Sequence, residues 1–330
     1  VTTPLFQPRL VNDPFSDVTL YLDLRFGRRA LLFDIGDLAP LSSRELLRVS
    51  HVFVTHRHMD HFAGFDQLLR LCLYRDMRVD LIGPPGVTDA VEAKLKAYSW
   101  NLLGEDSHDF ALAAADWGPD GFTHASLFRA REAFRRREVA PPQAMGPVLL
   151  DHPEFQVEGL LLDHGIPCLA FAMQEKLRVN VHKARLDELG LPVGPWLTAA
   201  KRAVRAGGGP ARFTPAPGLT VSTDELVGAG ALKTAPGQRI VYATDLAHTE
   251  ANVEKLVAFA RNADQLFIEA VFLEEDRALA AARKHLTAAQ AGSIARRANV
   301  RVAVPMHFSP RYLDREDALR DEFTRALASG

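Results

Sequence analysis

Apolar residues along this chain fall in short runs, and several runs end in a side chain able to bind a cation. Val52, Phe53 and Val54 lead to His56, and Phe155-Gln156-Val157-Glu158-Gly159-Leu160-Leu161-Leu162 leads to His164. Ile240-Val241-Tyr242-Ala243 leads to Asp245, Leu266-Phe267-Ile268 to Glu269, and Val302-Ala303-Val304-Pro305-Met306 to His307. Short runs rich in β-branched and aromatic residues predict strands. Further strands are expected over 17–24, 29–34 and 79–83. Helical spacing appears between them, as in 62–73, where Phe65, Leu68, Leu69 and Cys72 share a face. Helices are also expected over 87–100, 253–262, 273–283, 287–299 and 313–328, with a short one over 42–47 capped by Ser42 or Ser43. Strands and helices in alternation predict a layered α/β fold, in which sites form where strand ends converge.

Two stretches have a different texture. Across 105–147 the periodicity is weak, and Arg129, Arg131, Arg135, Arg136 and Arg137 form a basic run expected on a helix, more as a solvated face than as a phosphate-tracking one. Across 174–212, eight Lys or Arg stand against three acids, a local excess of +5, and the segment ends in Gly207-Gly208-Gly209-Pro210, which reads as a hinge. The expectation is one domain over 1–330 with a basic arm inserted at 174–212; the plain alternative for the arm is a surface helical hairpin.

Composition changes little in this picture. Hydrophobic residues at 47% and charged ones at 24% are ordinary for a globular chain. A formal net charge of −2 gives no global attraction to nucleic acid, so a polyanion site would have to be local. Cys72 and Cys168 are the only cysteines, which argues against a disulfide framework and against zinc–thiolate sites. With no signal-peptide pattern and no apolar run long enough for a bilayer, a cytoplasmic location is expected, with no membrane partner.

Candidate chemistry concentrates at His56-Arg57-His58-Met59-Asp60-His61, just past a strand end. Three imidazoles and a carboxylate in six positions suit Zn²⁺ or a similar ion, and manganese and iron also fit such donors. Two ions account for the full set of strand-end groups. His56, His58 and His164 would hold one, Asp60, His61 and His307 the second, and Asp245 would bridge them. Such a pair of ions activates a shared water and clamps the oxygens of a displaced group, which is machinery for hydrolysis. Asp34, beside Gly36, is open between a carboxylate lying just behind the ions and an ordinary turn aspartate.

His56-x-His58-x-Asp60-His61 with His164, Asp245 and His307 resembles the metallo-β-lactamase superfamily, whose fold is a four-layer αβ/βα sandwich. Within it, Phe267-Ile268-Glu269-Ala270-Val271-Phe272, His285-Leu286-Thr287-Ala288-Ala289-Gln290-Ala291 and His307-Phe308-Ser309-Pro310-Arg311-Tyr312 are similar to stretches of ribonuclease Z, the tRNA 3′-end endonuclease. Gly194-Pro195 is similar to the Gly-Pro motif of that family's tRNA-gripping arm. The family's opening glycine-rich strand has no counterpart here.

The resemblance implies a two-metal phosphodiesterase that removes the 3′ trailer of precursor tRNA with metal-activated hydroxide. Asp60 would bind metal and orient the hydroxide, and His285 would contact the scissile phosphate or protonate the leaving oxygen. Glu269 would orient His285, unless it is a strand-end residue facing solvent. The arm, through Lys176, Arg178, Lys183, Gly194, Pro195, Lys201 and Arg202, would contact tRNA in a salt-sensitive way. A homodimer is implied, one subunit's arm serving the other's site. The alternatives are a hydrolase of a small ester, thioester, sulfate or phosphodiester, and a non-catalytic RNA-binding scaffold.

Overall fold

The computed structural model describes residues 4–25, 29–143, 146–207 and 209–329; Gly208, in the glycine run read as a hinge, lies outside them. The chain divides into two compact units, one of Leu5–Leu150, Val157–Met173 and Arg239–Gly330, the other of Val1–Pro4, Asp151–Gln156 and Gln174–Gln238.

Two sheets form the centre of the larger unit. The first has eight strands in chain order, from Phe6–Leu10 to Arg137–Glu138. Four of them, Ala30–Phe33, Val49–Phe53, Arg78–Gly83 and Ala111–Gly118, run parallel. The second sheet has six, in the order Ala303–Met306, Gln265–Glu269, Arg239–Ala243, Pro167–Glu175, Phe155–Asp163 and Val148–Asp151, the first three parallel. Strands covered on both faces need apolar side chains at every position, which is why they read as unbroken runs. Phe33 and Phe53 stack with ring centroids 5.0 Å apart, and each reaches Phe171 of the other sheet at 5.6 Å. The alternate residues Leu32, Val52 and Leu81 belong to a core with the helix Phe65–Cys72. Val241, Leu266 and Ile268 belong to another with the helices Ala288–Arg297 and Glu316–Ala328. The layers are therefore helix, sheet, sheet, helix, the expected αβ/βα sandwich. Parallel strands bring their carboxyl ends to one edge.

Local chemistry sets several boundaries. Ser42 and Thr287 each start a helix with a full capping box, closed by Glu45 and Gln290. The helix predicted over 62–73 is interrupted, as Met59–Phe62 and Phe65–Cys72, with its four predicted apolar residues buried.

The basic run is not helical. Arg129 ends the strand Gly121–Arg129, a single 3-10 turn covers Ala130–Glu132, and Arg137 starts the two-residue edge strand Arg137–Glu138. Ala133 and Phe134 both take left-handed φ, which breaks any helix and buries the Phe134 ring against Trp100 at 4.8 Å. Much of the charge is used internally. Arg136 binds Asp89, Glu92 and Glu138, and Arg129 pairs with Asp109.

The smaller unit folds on its own core of Val179, Leu186, Leu197, Ala200, Val221 and Leu226, among others. Arg178–Val181 pairs with Leu232–Ala235 and Arg212–Ala216 with Leu219–Ser222, with helices Lys183–Glu188, Trp196–Ala206 and Thr223–Gly228 between them. It is thus a mixed α/β unit rather than a helical hairpin, and it continues past Arg212 to Gln238. Its entry and exit are tied together, the Glu175 N–H donating to the Gln238 carbonyl at 2.8 Å. A Cβ on Gly237 would fall 1.7 Å from the Glu175 carbonyl oxygen, so only glycine fits this neck.

Candidate metal centre

Strand ends deliver the expected donors to one cleft, and all but His164 follow strands that run parallel. His56, His58, His164 and Asp245 each place a ligand-competent atom within 4.8 Å of the others, and Asp60, His61 and His307 do the same. Asp245 faces both sets. Its Oδ2 lies 3.4 Å from His56 Nε2 and 3.4 Å from His164 Nε2. Its Oδ1 lies 3.5 Å from His61 Nε2 and 3.2 Å from His307 Nε2. Asp60 Oδ2 completes the second set, 3.4 Å from His61 Nε2 and 3.6 Å from His307 Nε2.

These spacings fit cations. Ligands about 2.0–2.1 Å from one tetrahedral ion stand roughly 3.3 Å from each other. The Nε2 atoms of His56 and His61 are buried yet have no hydrogen-bond partner. An orphaned buried polar atom costs about 1–3 kcal/mol, and a cation between the donors removes that cost.

The far sides of three of the rings, His56, His61 and His164, are held. Asp34 is fully buried and accepts from the Thr55 amide at 2.8 Å, the Thr55 hydroxyl at 2.9 Å, the Tyr242 hydroxyl at 3.0 Å and His61 Nδ1 at 2.9 Å. Of the two readings open for Asp34, the structure selects the carboxylate behind the donor cluster. Thr55 Oγ1 also meets His56 Nδ1 at 3.0 Å, and His164 Nδ1 donates to the Lys284 carbonyl at 2.9 Å. Asp34, Asp245 and His307 all have left-handed φ, between 51° and 57°. Such backbone strain in non-glycine residues collects at sites whose surroundings over-determine it. Gly36 explains how the motif loop seats. A Cβ there would lie 2.1 Å from the Asp60 carbonyl oxygen.

Charge follows from this packing. Burial, with His61 close by, pulls the His56 imidazole down to about 2, so it stays neutral with a lone pair to share. Burial opposes charge on His61 too, but the Asp245 and Asp34 carboxylates outweigh it and hold the ring well above its usual value. Burial also opposes ionisation of Asp245, and His61 and His307 reverse this, keeping it a carboxylate.

His285 and Glu269 adjoin the cluster, forming a further close group with Asp245. Glu269 is fully buried, not solvent-facing, and takes the Leu246 N–H at 2.7 Å and His285 Nδ1 at 2.9 Å. Burial works against the His285 charge, yet Glu269 prevails and raises it to about 9.

A cleft of about 460 Å³ opens over these groups, lined also by Phe15, Asp17, Phe272, Arg283 and Phe308. Sequence reading missed Phe15, Asp17, Arg283, Thr55 and Tyr242. Thr55 had a signal, standing directly before His56; the others are placed by loops and strand faces from far along the chain. His248 is exposed and joins no donor group among the described residues.

In the smaller unit the residues expected to meet substrate fall into two kinds. Arg178 is largely buried and held by Glu175 at 2.6 Å, and Lys176 pairs with Asp151 at 2.6 Å. Lys183 and Arg202 are exposed, Lys201 is half-buried, Gly194 is half-buried and Pro195 exposed at the start of Trp196–Ala206.

The "Beta-lactamase superfamily domain" family matches residues 13–134 and 168–308. With that fold and donor set, the molecule is a metal-dependent hydrolase of the β-lactamase superfamily. Ribonuclease Z of Deinococcus radiodurans is 31% identical over 311 residues, which cover 92% of this chain and 90% of that protein. The chain belongs to the ribonuclease Z family. Among solved structures, the short form of human tRNase Z superposes with a TM-score of 0.52 at 16% identity, covering 93% of this chain and 91% of its own. The metallo-β-lactamase-fold protein YhfI of Bacillus subtilis gives 0.52 at 16% identity, with 94% and 86% covered.

Proposed function

We propose that this chain is an endonuclease that removes the 3′ trailer of precursor tRNA, using two zinc ions. The observation that carries the reading is the Asp245 carboxylate, which turns one oxygen to each of two donor sets. In this reading His56, His58 and His164 would hold one ion and Asp60, His61 and His307 the other, with Asp245 available to both. Ions held there supply Lewis-acid polarisation of the phosphoryl oxygens and activation of water.

The chain's own residues do the rest. Asp34, through Thr55 and His61, and the Lys284 carbonyl, through His164, keep the imidazoles aimed into the cleft. Asp60, kept ionised against the opposing effect of burial by His61 and His307, orients the attacking water by accepting a hydrogen bond from it. His285 is protonated at neutral pH because Glu269 holds its Nδ1, and it donates a proton to the leaving ribose oxygen as the phosphorus–oxygen bond breaks. Arg283 on the cleft wall offers charge to a phosphate. The exposed cations of the smaller unit, Lys183 and Arg202, with Lys201 and Gly194-Pro195, contact the tRNA backbone, and Lys176 and Arg178 serve mainly to hold that unit together. A cytoplasmic homodimer is the fuller form of the proposal; among the described residues no helix is long and apolar enough to cross a membrane.

The test is cleavage of a precursor tRNA with a 3′ trailer, with metal analysis on the same sample. Expected are a single cut releasing the trailer, two zinc ions per chain, and loss of cutting with a chelator. An intact precursor beside brisk hydrolysis of a small ester would move the chain to the small-substrate class.

A further inference from the structure

One wall of the cleft is built by the loop 11–19, through Phe15, Ser16 and Asp17. That loop is firmly placed. The Val11 N–H donates to the Thr19 carbonyl at 2.9 Å, the Phe15 N–H to Asp13 Oδ1 at 3.0 Å, and the Phe308 N–H to the Pro14 carbonyl at 2.7 Å. A Cβ on Gly36 would lie 2.8 Å from Asp17 Cβ and 2.1 Å from the Asp60 carbonyl oxygen, so Gly36 lets Asp17 settle beside the metal motif. The Phe15 ring meets the edge of Phe308 at 5.5 Å, and both line the cleft with Asp17.

Asp17 is out of place in a cleft meant for a polyanion. Its carboxylate is exposed, and among the described residues it accepts no hydrogen bond and forms no ion pair. An ionised carboxylate can only accept, so phosphate oxygens, themselves anionic acceptors, are poor partners. Beside a scissile phosphodiester, RNA carries one uncharged donor that DNA lacks, the ribose 2′-hydroxyl.

The geometry points to Asp17 as a specificity residue that accepts a hydrogen bond from the 2′-hydroxyl of a nucleotide flanking the scissile phosphodiester, with Phe15 offering its ring to the base. This rests on the endonuclease reading above. A carboxylate that the bound substrate covers rejects the analogue without the hydroxyl, because it is then desolvated and left unpaired. A base on an aromatic face adds affinity without sequence preference.

The experiment compares three precursor tRNAs: all-ribo, and two with a single 2′-deoxynucleotide on either side of the cleavage site. Wild type is expected to lose roughly 10- to 100-fold in kcat/KM on one deoxy substrate, the range of a hydrogen bond to a charged group. Asp17→Ala is expected to cut the all-ribo substrate slower by a similar factor and to cut all three alike. Asp17→Asn, which keeps an acceptor, falls between, and unchanged thermal unfolding of both variants assigns the loss to recognition. Equal cutting of all three by wild type, or undiminished discrimination by Asp17→Ala, overturns the assignment while leaving the endonuclease reading intact. If wild type spares the all-ribo precursor, the endonuclease reading itself falls, and this one with it.

Discussion

The metal cleft and the smaller unit use charge in opposite ways. In the cleft, the key charged pairs are shielded and locked from behind, as His61 is by Asp34 and His285 by Glu269, while His58, Asp17 and Arg283 stand exposed at the mouth. In the smaller unit the charges are abundant, but many neutralise each other at the surface: Arg185 with Glu188, Arg205 with Glu154, Lys176 with Asp151. Local basicity therefore overstates the charge free to meet a phosphate backbone. Fixed geometry, not net charge, marks the reactive part of the molecule.

The largest effect should come from removing the shared carboxylate. Asp245→Ala is expected to lower kcat by roughly 1000-fold or more, since in the proposed two-ion site it would take a ligand from both ions at once. Metal analysis should show fewer than two ions per chain. Two retained ions with near-normal kcat would separate Asp245 from the metal centre and break the contrast.

Excising the smaller unit comes next. The neck between Glu175 and Gln238 is already hydrogen-bonded, so residues 176–237 can be replaced by a short glycine linker. Precursor-tRNA cleavage at low RNA concentration should fall by roughly 100-fold or more, and its salt dependence should flatten. Hydrolysis of bis-p-nitrophenyl phosphate should persist. Loss of both activities would mean the two units are not separable in function.

Glu269→Gln sharpens the cleft side. Glu269 raises His285 to about 9, so the protonated ring, the form that donates, persists up to that pH and is lost above it. Without the carboxylate charge the ring deprotonates earlier, and the alkaline limb of the pH–kcat profile should move down by about one unit or more. An unmoved limb would exclude His285 as the proton donor.

The smallest effects belong to single cations of the smaller unit, and they should divide by burial. Lys183→Ala should leave thermal stability alone and reduce the salt slope of tRNA binding by about one. Arg178→Ala should instead lower the unfolding temperature, because it strands the largely buried Glu175. Equal effects of the two on binding would show that internal pairing does not decide which cations reach RNA.

How much of this was legible in the sequence depended on the kind of information each residue carries. The strand-end donors could be read because each follows an apolar run, and because parallel strands gather their ends. Asp34 stayed ambiguous, since a turn aspartate and a supporting carboxylate look alike until His61 and Tyr242 arrive beside it. The arginine run misled because helical composition was overruled by left-handed Ala133 and Phe134, a choice made by burying the Phe134 ring. Residues 213–237 were missed as part of the smaller unit because they carry little of its basic signal; Val221, Leu226 and Leu232 join it through packing. Asp17 had no signal at all, being set by its contact across Gly36.

The most direct test of the whole account is anomalous diffraction at the zinc edge from crystals of the metal-loaded protein. Two peaks are predicted, one among His56, His58 and His164, the other among Asp60, His61 and His307, with Asp245 touching both. A single peak, or two with Asp245 turned away from either, would contradict it.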